Sequence, residues 1–272
     1  MKKIFKFIGI SILFVVLTVL TQVGGVLLLV SILVAKKFRI QSGLQKVGLF
    51  LVIYVLTTFV IIPPIAKVFG RVALPMSGTS QVRPNNLLMC FLNRHYVKPK
   101  LYKLIHDVAG QMNANKKSSS QLRYLDANFP FINGFPLLPH RSHDDGEKLD
   151  LAFLYVDRAS HNPWKSRVSF FGYGFFEEPI RGEVNMPQQC AKKGYWQYGL
   201  LSKSLGLKAH EQVQFDEFAN AKLIKLLSKH PDTRKIFIEP HLKSRLGFGN
   251  NNKVRFHGCA AVRHDDHIHL EL

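Results

Sequence analysis

Two apolar stretches, Ile8 to Ala35 and Val47 to Ala66, dominate the start of the chain, and no acidic residue precedes Asp107. Each meets the ~20 residues that a helix needs to cross a bilayer core, so two transmembrane helices are expected. The first stretch is longer than one span requires and is interrupted by Gln22-Val23-Gly24-Gly25. It reads as one tilted helix or one helix with a bent end, too short for two full spans. Its apolar length exceeds the ~7 to 15 residues of a signal-peptide core, which points to an uncleaved anchor. Pro63-Pro64, Gly70, Pro75 and Gly78 then mark the exit from the membrane. The expected organisation is a membrane anchor over 1–72, a linker over 73–83 and a globular domain over 84–272.

Beyond Pro84 the hydrophobic period changes. Leu101, Leu104, Ile105, Val108 and Met112 recur at helical spacing and predict an amphipathic helix over 98–112, with Lys100, Lys103 and Asp107 outward. Asn113 to Ser120 reads as a polar loop. Gln121 to Asp126 and Leu149 to Asp157 read as strands around a Pro- and Gly-rich surface passage, Asn128 to Pro139. Val168 to Phe176 reads as a hairpin arm and Phe218 to Leu227 as a second helix. Lys235 to Ile238 and Val254 to Phe256 read as short strands. The last strand sets His267 and His269 on one face and Ile268 and Leu270 on the other. Helices and strands mix without a βαβ repeat. An α+β fold is therefore expected, with a mainly antiparallel sheet and flanking helices, preceded by the two transmembrane helices.

The formal net charge of +19 is partly accounted for by Lys2, Lys3, Lys6, Lys36, Lys37, Arg39 and Lys46, which flank the spans. If the Lys36-Lys37-Phe38-Arg39 loop is cytoplasmic, the second span delivers the domain to the outward or periplasmic side of the cell membrane. The three amino-terminal lysines then fall on the wrong side. The basic domain suits anionic lipid or an anionic wall polymer, whereas no helix or aromatic ladder is arranged for nucleic acid. Cys90, Cys190 and Cys259 stand far apart with no CxxC. Three buried, inert thiols is the favoured reading, with Cys190 and Cys259 the pair to consider in an oxidising compartment.

Chemistry concentrates in two polar clusters, Pro139 to Asp150 and Arg263 to His269. Zinc takes imidazole nitrogen and carboxylate oxygen, and a catalytic site uses three protein ligands. The sequence offers His143, Asp150 and His269, with Gly146 supplying a tight turn that lets the first two converge. A bound Zn2+ lowers its water's pKa towards ~7 and polarises a carbonyl, as an amide hydrolase requires. His267, on the face of His269, is placed to act as base or hydrogen-bond partner. His264 is a second catalytic candidate, reaching from the turn before the strand. His140 is assigned to the pocket or to supporting the ligands, and Asp265 and Asp266 to orienting the histidines.

His143 and Asp150, followed late in the chain by His264-Asp265-Asp266-His267-Ile268-His269, resemble the lysostaphin, D-Ala-D-Ala metallopeptidase and Sonic hedgehog superfamily. The penicillin-insensitive murein endopeptidase branch is the nearest in pattern, with Ile268 standing where that branch has an aromatic residue. The Pro139-His140-x-x-His143-x-x-Gly146 lead-in and Ile236-Phe237-Ile238-Glu239-Pro240 are similar to the same branch. The resemblance implies zinc on His143, Asp150 and His269, catalysis by His264 and His267, and hydrolysis of peptidoglycan peptides as endopeptidase or carboxypeptidase. A catalytically inactive, zinc-containing module of the same fold, binding wall peptides or a protein partner, is the alternative.

Overall fold

The computed structural model describes residues 2–77, 81–114, 121–199 and 211–272. Most of the expected Asn113 to Ser120 loop lies outside the described residues. Helix α1 (Lys2–Thr21) ends where Gln22 takes a φ of 67°, and α2 (Gly24–Lys37) starts two residues later. The chain has turned back on itself, because Gly25 lies against Phe14 and Thr18 of α1. A Cβ on Gly25 would stand 2.6 Å from the Phe14 carbonyl oxygen, so only glycine permits this approach. Leu28, Ser31 and Ala35 continue the buried face of α2. Gly25, Ser31 and Ala35 are small enough to let helix backbones pack closely. The first apolar stretch is thus a helical hairpin rather than one tilted or bent helix.

Helix α3 (Gly43–Leu56) runs through a π-helical turn, Thr57–Ile61, into α4 (Ile62–Val68). Pro63 and Pro64 lack the amide hydrogens that would bond Phe59 and Val60, and the widened turn lies immediately before them. Among the described residues, two helical spans, Ile4–Thr21 and Gly43–Val68, are long and apolar enough to cross a membrane. Both touch the rest of the chain, the first through Gln22 at its end and the second through Tyr54 and Phe59 near its middle. Phe131 N donates to Gln22 Oε1 at 2.9 Å, and Tyr54 OH donates to the Phe91 carbonyl at 2.6 Å. The Phe59 and Phe91 rings meet edge to face with centroids 5.0 Å apart.

Strand β1 (Val72–Ala73), inside the stretch expected to be anchor and linker, pairs with β3 (Tyr96–Val97). The main sheet has six strands: β2 (Val82–Pro84), β4 (Leu122–Tyr124), β5 (Lys148–Ala152), β10 (His267–Glu271), β8 (Lys235–Phe237) and β9 (Val254–Arg255), in that spatial order. Its middle is antiparallel, but β2 lies parallel to β4 and β9 parallel to β8. The sheet is therefore mixed, and the expectation of a mainly antiparallel one is corrected. Helices intervene at both parallel edges: α5 (Leu87–Phe91) and α6 (Pro99–Met112) between β2 and β4, and a short helix, Pro240–Arg245, between β8 and β9. A chain that crosses over through a helix returns in the same direction.

Leu101, Leu104, Ile105 and Val108 of α6 share one core with Leu149, Leu151, Ile236, Ile268 and Leu270 of the sheet. The predicted amphipathic helix forms with this buried face, Lys100, Lys103 and Asp107 outward. The helix that follows α7 (Met186–Lys192), α8 (Glu217–Lys229), adds Leu223, Ile224 and Leu227 to the same core. Helices thus cover one face of the sheet, and the other is left for polar side chains. The expected hairpin arm over Val168 to Phe176 holds no strand and is irregular. Its hydrogen bonds run to side chains of the site instead: Gly174 N donates to Asp266 Oδ2 at 2.6 Å.

Cys190 of α7 and Cys259 form a disulfide with Cα atoms 5.3 Å apart, correcting the reading of three free thiols. A pairing across 69 residues has no local sequence signal. Cys90 is free and buried, and burial pushes its thiol up to about 11. It is inert at neutral pH.

Candidate metal centre

Strand register builds the site. His269 stands directly opposite Asp150, His267 opposite Ala152 and Glu271 opposite Lys148. Side chains facing each other across an antiparallel pair lie ~5 Å apart at Cβ, close enough for imidazole and carboxylate to meet. His143 arrives from the loop before β5. That loop turns at Gly146, with φ of 84°, where a Cβ would come within 2.6 Å of the Arg71 guanidinium. Arg71 in turn donates to the Phe129 carbonyl at 3.0 Å and to the Asn133 side chain. The segment that follows the second apolar helix therefore braces the loop that carries His143.

Three atoms converge. His143 Nε2 is 3.1 Å from His269 Nδ1 and 3.2 Å from Asp150 Oδ1, and His269 Nδ1 is 2.8 Å from Asp150 Oδ1. All three residues are buried. Ligand bonds of 2.0 to 2.1 Å in a tetrahedral zinc site put neighbouring ligand atoms about 3.3 Å apart, so this triangle is close to one face of such a site. His143 Nδ1 donates to the Ala127 carbonyl at 2.7 Å, which leaves its Nε2 lone pair facing the triangle. Burial pulls the His143 pKa down, against Asp150, and so favours the neutral imidazole that a metal needs. Burial alone would raise Asp150, but His143, His267 and His140 hold its carboxyl well below the usual range. These donors could hold a metal ion.

A second buried group, His140, Asp150 and His267, uses the other oxygen of Asp150. His140 Nδ1 and Asp150 Oδ2 are already engaged. His140 Nδ1 donates to Asp126 Oδ2 at 2.9 Å and faces Asp150 Oδ2 at 3.2 Å, while Tyr173 OH donates to Asp150 Oδ2 at 2.8 Å. Asp126 also accepts from Arg94 at 2.7 Å. These contacts orient the Asp150 carboxylate and leave its Oδ1 to the first group.

His267 sits between the two groups. Its Nδ1 donates to Asp266 Oδ1, while Nε2 lies 3.8 Å from Asp150 Oδ2, buried and without a hydrogen-bond partner. Burial lowers its affinity for a proton, yet Asp150 and Asp266 together raise its pKa to about 9. His264 is buried at a ring distance of 4.9 Å from His267, and burial with its imidazole neighbours keeps it neutral. No histidine bonds the Asp265 carboxylate among the described residues. The carboxylate is held by Arg263, and Arg263 also bonds Glu178 at 3.0 Å.

Sequence reasoning missed several contributors. Glu271 Oε1 lies 3.6 Å from His269 Nε2, and strand alternation would have placed it on the histidine face. Tyr173, Asp126 and Arg94 come from distant segments and carry no local signal. Beside His140 and His267 opens a cavity of about 620 Å³, walled largely by Met89, Phe170, Phe171, Phe176 and Val262. Apolar walls with a few convergent polar groups are the usual form of a small-ligand site.

No protein-family model matches the chain, and no curated protein matches it. What stands is a mixed α/β protein with two helices able to anchor it in a membrane and a buried His/Asp cluster that could hold a metal ion.

Proposed function

We propose that the chain is a membrane-anchored zinc peptidase of the penicillin-insensitive murein endopeptidase type. It would hydrolyse peptide bonds of peptidoglycan stems or cross-links, with His143, Asp150 and His269 holding the ion. The observation that carries this reading is His267: one ring nitrogen is pinned by Asp266 and the other is bare and buried beside the His/Asp triangle. With Asp150 and Asp266 raising its pKa, such an imidazole carries a proton at Nε2 near neutral pH that it can give up and take back. Zinc, when bound, supplies Lewis acidity and a nucleophile derived from water near neutral pH. His264, neutral and buried, can donate to a developing oxyanion. The apolar cavity would receive the peptide.

The helical hairpin supports an outward-facing domain. With α2 folded back along α1, the amino-terminal lysines and the Lys36 to Arg39 loop fall at the same end, and the positive-inside bias no longer conflicts with itself. The Cys190–Cys259 bond also suits an oxidising compartment. Protein isolated from its own cells and alkylated under denaturing conditions is expected to show Cys90 as its single reactive thiol. Three reactive thiols would place the domain on the reducing side.

The activity is tested by reconstituting the zinc-loaded full chain and incubating it with peptidoglycan. Release of new amino groups is expected, stopped by a chelator and restored by zinc, with mass analysis identifying the bond cut. Bound zinc without release from any wall preparation would favour the non-catalytic binding module.

A further inference from the structure

On the same sheet face as the His/Asp triangle, towards the β2 edge, lies a group of cations without anions. Arg83 of β2 and Arg123 of β4 are in register on adjacent parallel strands, and their neighbours Val82, Pro84, Leu122 and Tyr124 point into the core. Both guanidiniums donate to the Lys165 carbonyl oxygen, so their heads converge. Like charges directly opposite on neighbouring strands are destabilising. Arg167, whose guanidinium lies 4.8 Å over the Phe170 ring, comes from the same loop as Lys165. Burial, Arg83 and Arg167 pull Arg123 down to about 10. Among the described residues, which include every Asp and Glu of the chain, none forms an ion pair with these arginines.

Unused donors surround the same place. A cavity of about 230 Å³ is bounded by Arg123, Tyr155, Pro163, Trp164 and Lys165. Trp164 Nε1 and Arg83 Nε are buried and have no hydrogen-bond partner. Leaving such groups unmet costs free energy, and an arriving acceptor would recover it. Donors from two strands and the 163–167 loop outnumber the two oxygens of a carboxylate. They match a tetrahedral oxyanion, which guanidinium groups bind through paired N–H donors.

We propose that Arg83, Arg123 and Arg167, with Trp164, form a binding site for a phosphoryl group. This site does not depend on the peptidase reading. Asp266 lines both a neighbouring narrow cavity that Arg123 and Arg167 also line and the larger cavity beside His267, so an anion held here would sit near the metal-site pocket.

The test is calorimetric titration of the full chain, in phosphatidylcholine nanodiscs, with inorganic phosphate and with acetate at matched ionic strength. Saturable phosphate binding at one site per chain is expected, and acetate should bind far more weakly. Arg123→Gln should weaken phosphate binding at least about tenfold, as should Trp164→Phe, which removes one N–H donor and keeps an aromatic ring. In phosphate-free buffer Arg123→Gln should melt no lower than wild type, because it relieves repulsion; a merely structural arginine would lower the melting temperature. Repeating the titration in phosphatidylglycerol nanodiscs separates the sources. Weakened phosphate binding there, absent in Arg123→Gln, assigns the site to a lipid headgroup, and unchanged binding assigns it to a soluble phosphoryl ligand. No saturable phosphate binding by wild type, or equal affinity in both variants, would overturn the proposal.

Discussion

Replacing Asp150 with alanine is expected to remove the metal and much of the domain's stability together. Its Oδ1 lies 2.8 Å from His269 and 3.2 Å from His143, and its Oδ2 lies 2.8 Å from Tyr173 and 3.2 Å from His140. It is fully buried. Removing one member of a buried charged network strands the others, at a cost of about 3 to 5 kcal/mol. Asp150→Asn separates the two effects. The amide keeps the shape and part of the hydrogen bonding but not the charge, so zinc should be lost while the melting temperature falls less than in Asp150→Ala. Zinc content by plasma mass spectrometry and thermal melts of the full chain check both. An Asp150→Ala protein that keeps its zinc would exclude the ligand set.

His267→Ala is expected to do the opposite, keeping the metal and losing the activity. His267 Nε2 is 3.8 Å from Asp150 Oδ2 and stands outside the close triangle of donor atoms, so zinc content should stay at wild-type level. Loss of a positioned acid or base typically costs about 10²- to 10⁴-fold in rate. Release of amino groups from peptidoglycan should fall by that factor. Equal turnover in His267→Ala and wild type would remove His267 from the chemistry. Loss of zinc with loss of activity would instead move His267 among the ligands.

The face that carries the site was legible because one strand shows its period openly. Ile268 and Leu270 are buried in the core, and His267 and His269 share the other side. What brings Asp150 against His269 is the register between two strands more than a hundred residues apart, and that is set by packing rather than by local pattern. The same limit hid Arg94, Asp126 and Tyr173. Gln22 to Gly25 were visible as an interruption, but residue types alone do not distinguish a bend from a reversal. The difference lies in Gly25 resting on Phe14, a contact between helices. Pairing direction at the sheet edges was equally invisible, since helical and strand periods say nothing about which strands become neighbours.

The central claim is that one ion lies between His143, Asp150 and His269. Anomalous diffraction at the zinc edge, from crystals of the full chain purified with zinc, tests it most directly. A single strong peak is predicted at about 2.0 to 2.2 Å from His143 Nε2, Asp150 Oδ1 and His269 Nδ1. A peak on the Oδ2 side of Asp150, among His140 and His267, or no peak at either place, would contradict it.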